Sequence, residues 1–113
     1  MKQFAVLPLL LLAAASCGSL TATPEPAWLA LQHSAESMHV AMASTAPSGD
    51  ADVDFVGLML LHHQAAVEMA RIQLAHGGDP QIQRLAQEIV TDQQSEIELM
   101  RLWLTRHAHA EPK

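Results

Sequence analysis

Hydrophobic side chains recur three or four positions apart along three segments of the chain, which is the spacing of an amphipathic helix. In the first segment the apolar stripe comprises Trp28, Leu31, Ala35, Met38, His39 and Met42. In the second it comprises Phe55, Met59, His62, Ala66, Met69 and Gln73. In the third it comprises Ile82, Leu85, Ala86, Ile89, Gln93, Glu96, Ile97, Met100, Trp103 and Leu104. This pattern predicts an all-α fold, an antiparallel bundle of three helices.

Turn-forming residues separate helix one from helix two. Helix one is predicted to start near Pro24 or Pro26, because proline suits the first helical turn, and to run to about Ser44. The Thr-Ala-Pro-Ser-Gly stretch at 45–49 is predicted to break it. Helix two is predicted to begin among three residues that cap helices well and complement the helix dipole: Asp50, Asp52 and Asp54.

A short turn joins helix two to helix three. Helix two is predicted to end at His76, because two glycines follow it. Asp79 and Pro80 then supply a cap and a first-turn proline for helix three, which is predicted to reach about Ala108. So short a connection requires the two helices to form an antiparallel hairpin. The side of helix two expected to face water carries Gln64, Glu68, Arg71 and Ala75.

The amino terminus has the features of an export signal. Lys2 precedes an uncharged apolar run at 4–15, which as a helix would span about 18 Å, too short for the ~30 Å hydrocarbon core of a membrane. The position of Cys17 directly after this run resembles a bacterial lipobox, in which the cysteine is lipidated and anchors the mature protein. Cleavage after Ala15 or Ala22, which would leave Cys17 without a role, is the alternative. Either way the protein is predicted to be exported to the periplasm or cell envelope.

Length and composition indicate one small domain and exclude nucleic-acid binding. The chain has 113 residues, with 6 Lys plus Arg against 12 Asp plus Glu and a net charge of −6. It therefore lacks the clustered cations that bind a phosphate backbone. With the leader at 1–16 set aside, we predict a linker at 17–26, a helical domain at 27–109 and a tail at 110–113.

Polar residues interrupt the apolar stripes at positions where a plain bundle would carry leucine. His39, His62, Gln93 and Glu96 are the clearest examples. Folding the hairpin about Gly78 brings the polar residues of helices two and three to the same level. Burying such groups without partners would cost roughly 1–3 kcal/mol each. They must therefore bond to one another, hold water or ligate a metal ion.

The ligand types at this level favour copper. His62, His63, Met59 and Met69 together offer imidazole and thioether ligands, which suit Cu(I) better than magnesium or calcium. Gln93 or Glu96 would steady a histidine ring from the other side. A second group of the same ligand types lies on helix one: Met38, His39 and Met42.

Two further interpretations stay open at this point. In the first, His62 and His63 bond to Gln93 and Glu96 in a structural network, and the methionines only fill space. In the second, weaker one, the bundle is a redox enzyme. Catalysis is not expected, because Cys17 is the only cysteine and the sequence has no phosphate-binding loop, no G-x-S-x-G and no H-E-x-x-H motif.

Helices two and three, taken residue by residue, show a pattern shared with a bacterial protein family. The residues concerned are Asp54, Phe55, Val56, Met59, His62, His63, Gln64, Ala66, Met69 and Ala70, then Gly78, Asp79 and Pro80, then Ile89, Gln93, Glu96, Ile97, Met100, Trp103 and Leu104. Over about residues 50–104 the chain resembles domain of unknown function family 305. It differs at Leu61, where members commonly carry proline, and at Ala65, where glycine is usual.

The resemblance implies an exported, ferritin-like helical bundle, a fold often described as having four helices. This chain has three, so a fourth would come from a partner molecule, with a homodimer as one source, or be absent. Some members are associated with copper and silver binding through Met and His side chains. Carried over to this chain, that points to Met59, His62, His63, Met69 and Met100. We therefore expect copper sequestration or handover without catalysis.

Overall fold

The computed structural model describes residues 25–107 of the chain and contains three helices. These are α1 (Pro26–Ala43), α2 (Ala51–His76) and α3 (Pro80–His107), and no strand occurs within the described range. The predicted all-α fold and helix order are confirmed. The predicted leader, Cys17, most of the predicted linker and the tail at 110–113 lie outside the described residues.

Aspartates cap α2 and α3 as their positions predicted. Asp50 Oδ1 accepts hydrogen bonds from the backbone N–H groups of Asp52 (2.9 Å) and Val53 (3.3 Å). Asp79 Oδ1 does the same for Gln81 (2.8 Å) and Ile82 (3.1 Å). Each cap satisfies backbone donors that have no partner within the helix, so each fixes where its helix begins.

The turn before α2 is held by a second aspartate and by a glycine. Gly49 has φ +90°, a left-handed conformation that glycine adopts without the penalty a side chain would bring. Asp54 Oδ1 accepts a hydrogen bond of 2.7 Å from the backbone N–H of Ser48. Hydrogen bonding by Ser48 also lowers the pKa of the Asp54 carboxyl below its ordinary value.

Replacing the cap residue Asp50 with alanine should destabilise the fold by about 1 kcal/mol, because two N–H groups at the start of α2 lose their acceptor. Urea denaturation followed by circular dichroism at 222 nm would measure the change. Asp52→Ala is the matched control, since it removes a first-turn carboxylate that caps nothing and should cost only a few tenths of a kcal/mol. Equal effects of the two substitutions would contradict the capping role.

The hairpin of α2 and α3 is antiparallel and is clamped at its turn. Gln73 of α2 contacts Gln83 of α3, and His63 of α2 contacts Glu96 of α3. Residues earlier in α2 therefore contact residues later in α3, as in any antiparallel pair. At the turn, the Gln83 side-chain amide donates to the carbonyl oxygens of Gly77 and Gln73. The Gln73 carbonyl also accepts from the backbone N–H of Gly77, so the clamp adds a second donor there and supplies one to the Gly77 carbonyl.

Helix α2 is the central element, with α3 on one side and α1 on the other. Ser34 of α1 is 1% exposed, and its hydroxyl donates to Glu68 Oε2 of α2 at 2.9 Å. Glu68 lies five positions after His63, which meets α3, and is therefore about 140° away around the helix. No backbone contact joins α1 to α3 within the described residues. The four residues expected to face water thus include one, Glu68, that contacts α1.

The predicted stripe of α1 is rotated relative to the face that packs. Ser34, which was outside the stripe, is the buried residue of α1, whereas Trp28 and His39 within the stripe are exposed. The core between helices is built from small residues where the backbones approach closely, together with two branched side chains. It comprises Ala65, Val67, Ala70, Ala86 and Ile97. None of the helices between residues 25 and 107 has the length and hydropathy needed to cross a membrane.

Candidate functional site

His63 is held between a backbone carbonyl of its own helix and a carboxylate of the neighbouring helix. Its Nδ1 lies 2.8 Å from the carbonyl oxygen of Met59, and its Nε2 lies 2.5 Å from Glu96 Oε2. A carbonyl oxygen only accepts, so Nδ1 is the protonated nitrogen that donates to it. The side chain of His63 is 13% exposed, against 60% for Glu96. The ring is therefore fixed in orientation, and Nε2 is directed toward α3.

The imidazole opens into a cleft of about 290 Å³ between the amino-terminal half of α2 and the carboxyl-terminal half of α3. We call it the histidine cleft and define it by its lining residues, which are Phe55, Met59, His63, Glu96, Leu99 and Met100. Two thioether side chains, one imidazole and one carboxylate thus line a single, otherwise apolar opening. This is the arrangement in which a soft ion would find several ligands at once.

His62 does not line this cleft, although it adjoins His63 in the sequence. The two ring centroids are 6.2 Å apart and the ring planes differ by 64°. His62 is exposed, whereas His63 is half-buried. Successive helix positions are about 100° apart, so adjacent histidines are directed to different surroundings. The structure therefore separates the predicted pair, and His63 rather than His62 lines the cleft that contains Met59 and Met100.

Met69 and Gln93 meet in a neighbouring groove instead of in the histidine cleft. This groove, of about 270 Å³, lies nearer the hairpin turn and is lined mostly by alanine and branched aliphatic residues. Gln93 Oε1 is buried there without a hydrogen-bond partner among the residues the structure describes. Of the two residues predicted to support a histidine, Glu96 contacts His63 directly, and Gln93 does not reach it.

The predicted second ligand group on α1 is not among the residues that line the histidine cleft. His39 is exposed, while Met38 and Met42 are half-buried. At the end of α3, His107 stacks on Trp103 with ring centroids 3.8 Å apart and donates from Nδ1 to the Trp103 carbonyl oxygen. These two groups are separate from the cleft, so a metal site there would draw on α2 and α3.

Harder ligands alone do not form a metal site in residues 25–107. No three His, Cys, Asp or Glu side chains come together there in a group that could hold an ion. A site built on His63 and Glu96 would therefore need the sulfur atoms of Met59 and Met100 to complete it. Leu99, which lines the cleft, could not be singled out by periodicity, because it lies off the predicted apolar stripe of α3.

A comparison with protein families places this hairpin in a wider group. The family model described as Domain of unknown function (DUF305) matches residues 14–104. The chain belongs to this family. The match extends the sequence resemblance from the hairpin to α1, so α1, α2 and α3 as far as Leu104 fall within the matched region of this DUF305 protein. No curated protein matches the chain.

Proposed function

We propose that this DUF305 protein binds Cu(I), or the chemically similar Ag(I), in the histidine cleft and serves to sequester it or hand it over, without catalysis. The observation that carries the proposal is the convergence of Met59, His63 and Met100 on one small opening. Thioether and imidazole ligands favour Cu(I) over hard cations such as magnesium or calcium.

The contacts of His63 suit it to ligate a metal ion. Its Nδ1–H is engaged by the Met59 carbonyl, which fixes the tautomer and directs Nε2 away from its own helix. Glu96 Oε2 lies 2.5 Å from Nε2, so an ion that binds Nε2 would displace this carboxylate, whose mostly exposed side chain has room to move. The displaced carboxylate would remain beside the ion and offset part of its positive charge. The exposed side of the cleft also gives an ion a route in from solvent.

The amino-terminal sequence supports a cell-envelope location for this activity. A basic residue followed by a short apolar run and small residues is typical of an export signal. The lone Cys17 after that run would provide a lipid anchor. Sequestering or passing on a soft metal outside the cytoplasm needs no covalent chemistry at the protein, which is consistent with a cleft that offers ligands and little else.

The histidine doublet provides a matched pair of variants to test the site. Anaerobic titration of Cu(I) against a chelator of known affinity should show His63→Ala weakening binding by about 10- to 100-fold, because one ligand is lost. His62→Ala, one residue away and outside the cleft, should leave the affinity within about threefold. Absence of Cu(I) binding by the unmodified protein, or equal losses in the two variants, would contradict the proposal.

A structural role for the same polar contact is the second candidate, and the His63–Glu96 contact favours it. A polar pair between α2 and α3 would fix how the two helices align along their length, with no metal involved. If the role is structural only, Glu96→Gln should change the free energy of unfolding, and the unmodified protein should not bind Cu(I). The titration above separates the two candidates, because only metal binding depends on the sulfur and nitrogen ligands together.

A further inference from the structure

The two sides of the α2–α3 hairpin differ in character. On one side runs a polar groove, whose lining includes Gln64, Arg71, Gln94, Glu98 and Arg101. On the other side lie the histidine cleft and the groove of Met69, both walled almost entirely by apolar residues. Both helices contribute to each side, so the hairpin as a whole has one polar side and one apolar side. This difference points to different surroundings for the two sides.

The apolar side is open to solvent over much of its length. We call it the open face and define it by Phe55, Met59, Met69, Ile82, Leu85, Ile89 and Leu99. Phe55 is 64% exposed, Leu85 50% and Leu99 66%. Helix α1 does not cover this face, because it packs on α2 through Ser34 and Glu68. Contiguous exposed apolar surface of this kind marks an interaction site.

The segments of this sequence that flank the helices carry few large apolar side chains that could cover the open face. Between Cys17 and α1 the one large apolar side chain is Leu20, and residues 108–113 have none. The run at 4–15 is apolar but forms part of the predicted export signal. A covering surface would also have to match two parallel ridges of side chains, one on each helix, and a second hairpin offers such a surface.

Polar groups at the edges of the open face can pair between copies, because an imidazole N–H donates and a carboxylate accepts. His62 lies on α2, seven positions after Phe55 and thus on the same side of the helix, and it is exposed. Asp92 is exposed on α3, seven positions after Leu85. Counted from the His63–Glu96 contact, His62 and Asp92 lie within about 8 Å of each other along the hairpin axis. A two-fold axis along the hairpin would therefore bring His62 of each copy toward Asp92 of the other.

We propose that two copies of this chain pack open face against open face, with α2 of each beside α3 of the other. Every helix then has an antiparallel neighbour across the interface, as in a four-helix bundle. The two histidine clefts lie at the same level and face each other. The proposal concerns the packing of the hairpins and does not rest on metal binding.

The size of the face indicates a modest affinity. From Phe55 to Gln73 the α2 side is about 27 Å long, and two adjacent helices are about 20 Å wide. Each copy would then contribute about 500 Å², which is at the low end for a specific complex. The dimer is accordingly expected to dissociate on dilution through the micromolar range.

Sedimentation velocity of the purified protein over a range of concentrations, with a metal chelator present, is the primary test. The unmodified protein should pass from monomer to dimer, and Leu85→Asp should remain monomeric. Val40→Asp is the control, because Val40 is similarly exposed but lies on α1, away from the face. A protein that stays monomeric at every concentration would overturn the proposal, and so would a monomer whose retained residues 4–15 cover the face. A dimer that Leu85→Asp leaves unaffected would also overturn it.

Edge charges test the arrangement with variants that leave the apolar residues intact. His62→Glu places like charges near Asp92 of the other copy and should weaken the dimer by about tenfold. The double variant His62→Glu/Asp92→Lys should restore it, because opposite charges then face each other across the interface. Both positions are exposed, so circular dichroism should show the same helix content throughout. Failure of the second substitution to restore association would overturn the proposed pairing of α2 with α3.

Discussion

Replacing Ile97 with alanine is expected to lower the free energy of unfolding by about 3 kcal/mol. Ile97 is 6% exposed and lies on the side of α3 that faces α2. The substitution removes three carbon atoms from a packed position and leaves a cavity that the surrounding helices fill only in part. For a domain of this size, such a loss is a large fraction of its total stability.

The effect is large because few other side chains serve the same purpose. Apart from Ile97 and Val67, the buried apolar residues within 25–107 are alanines, which allow the helices to approach closely but bury little area each. Many of the larger apolar side chains are exposed on the open face instead. The α2–α3 contact therefore depends on a small number of branched residues.

Chemical denaturation at low protein concentration would measure the change in the monomer, without a contribution from association. Leu102→Ala is a suitable control on the same helix, because Leu102 is about half exposed and should cost less than about 1 kcal/mol. A loss of less than about 1 kcal/mol for Ile97→Ala as well would show that Ile97 is not a core residue.

The helix boundaries could be predicted because they depend on local chemistry. Asp50 and Asp79 accept hydrogen bonds from N–H groups only two and three residues ahead, so a short stretch of sequence contains the whole interaction. Pro80 and the glycines after His76 act within the same distance. Such local signals act regardless of how the helices pack against one another. The predicted ends of the helices therefore lie within one or two residues of the observed ends.

The position of α1 could not be predicted in the same way. Its buried residue is Ser34, whose partner Glu68 lies 34 positions away in the sequence. A serine outside the apolar stripe of α1 gives no sign that it is buried, and a glutamate opposite the stripe of α2 is normally solvated. Helix α2 contacts α3 on one side and α1 on the other, but the spacing of its apolar residues indicates only one contact face.

The choice between His62 and His63 shows a similar limit within the site. Periodicity put His62 on the apolar stripe of α2 and left His63 beside it, on the flank that also carries Val67 and Ala70. The contact with α3 is centred on that flank, as the buried Val67 and Ala70 show, so His63 reaches Glu96 while His62 is exposed. Neighbouring positions differ by about 100° of rotation, which is about the width of an apolar stripe, so the stripe alone does not decide which of them meets α3.

Replacing both Met59 and Met100 with leucine is expected to weaken Cu(I) binding by more than about a hundredfold while the protein stays folded. Leucine and methionine have similar volumes, and such exchanges usually cost less than about 1.5 kcal/mol. The double variant therefore removes both sulfur atoms from the histidine cleft and preserves its apolar walls. His63 and Glu96 remain in place, so any affinity that is left reports on the nitrogen and oxygen ligands alone.

Met69→Leu provides the matched control, because Met69 is on the same helix but lines the neighbouring groove. Its Cu(I) affinity should stay within about threefold of the unmodified protein. Anaerobic competition with a chelator gives the affinities, and thermal denaturation of the same samples verifies the fold. If the double variant binds as tightly as the unmodified protein, the thioethers are not ligands and the cleft is not the copper site. If Met69→Leu alone abolishes binding, the ion is held nearer the hairpin turn, because sulfur is the only atom type that this exchange removes.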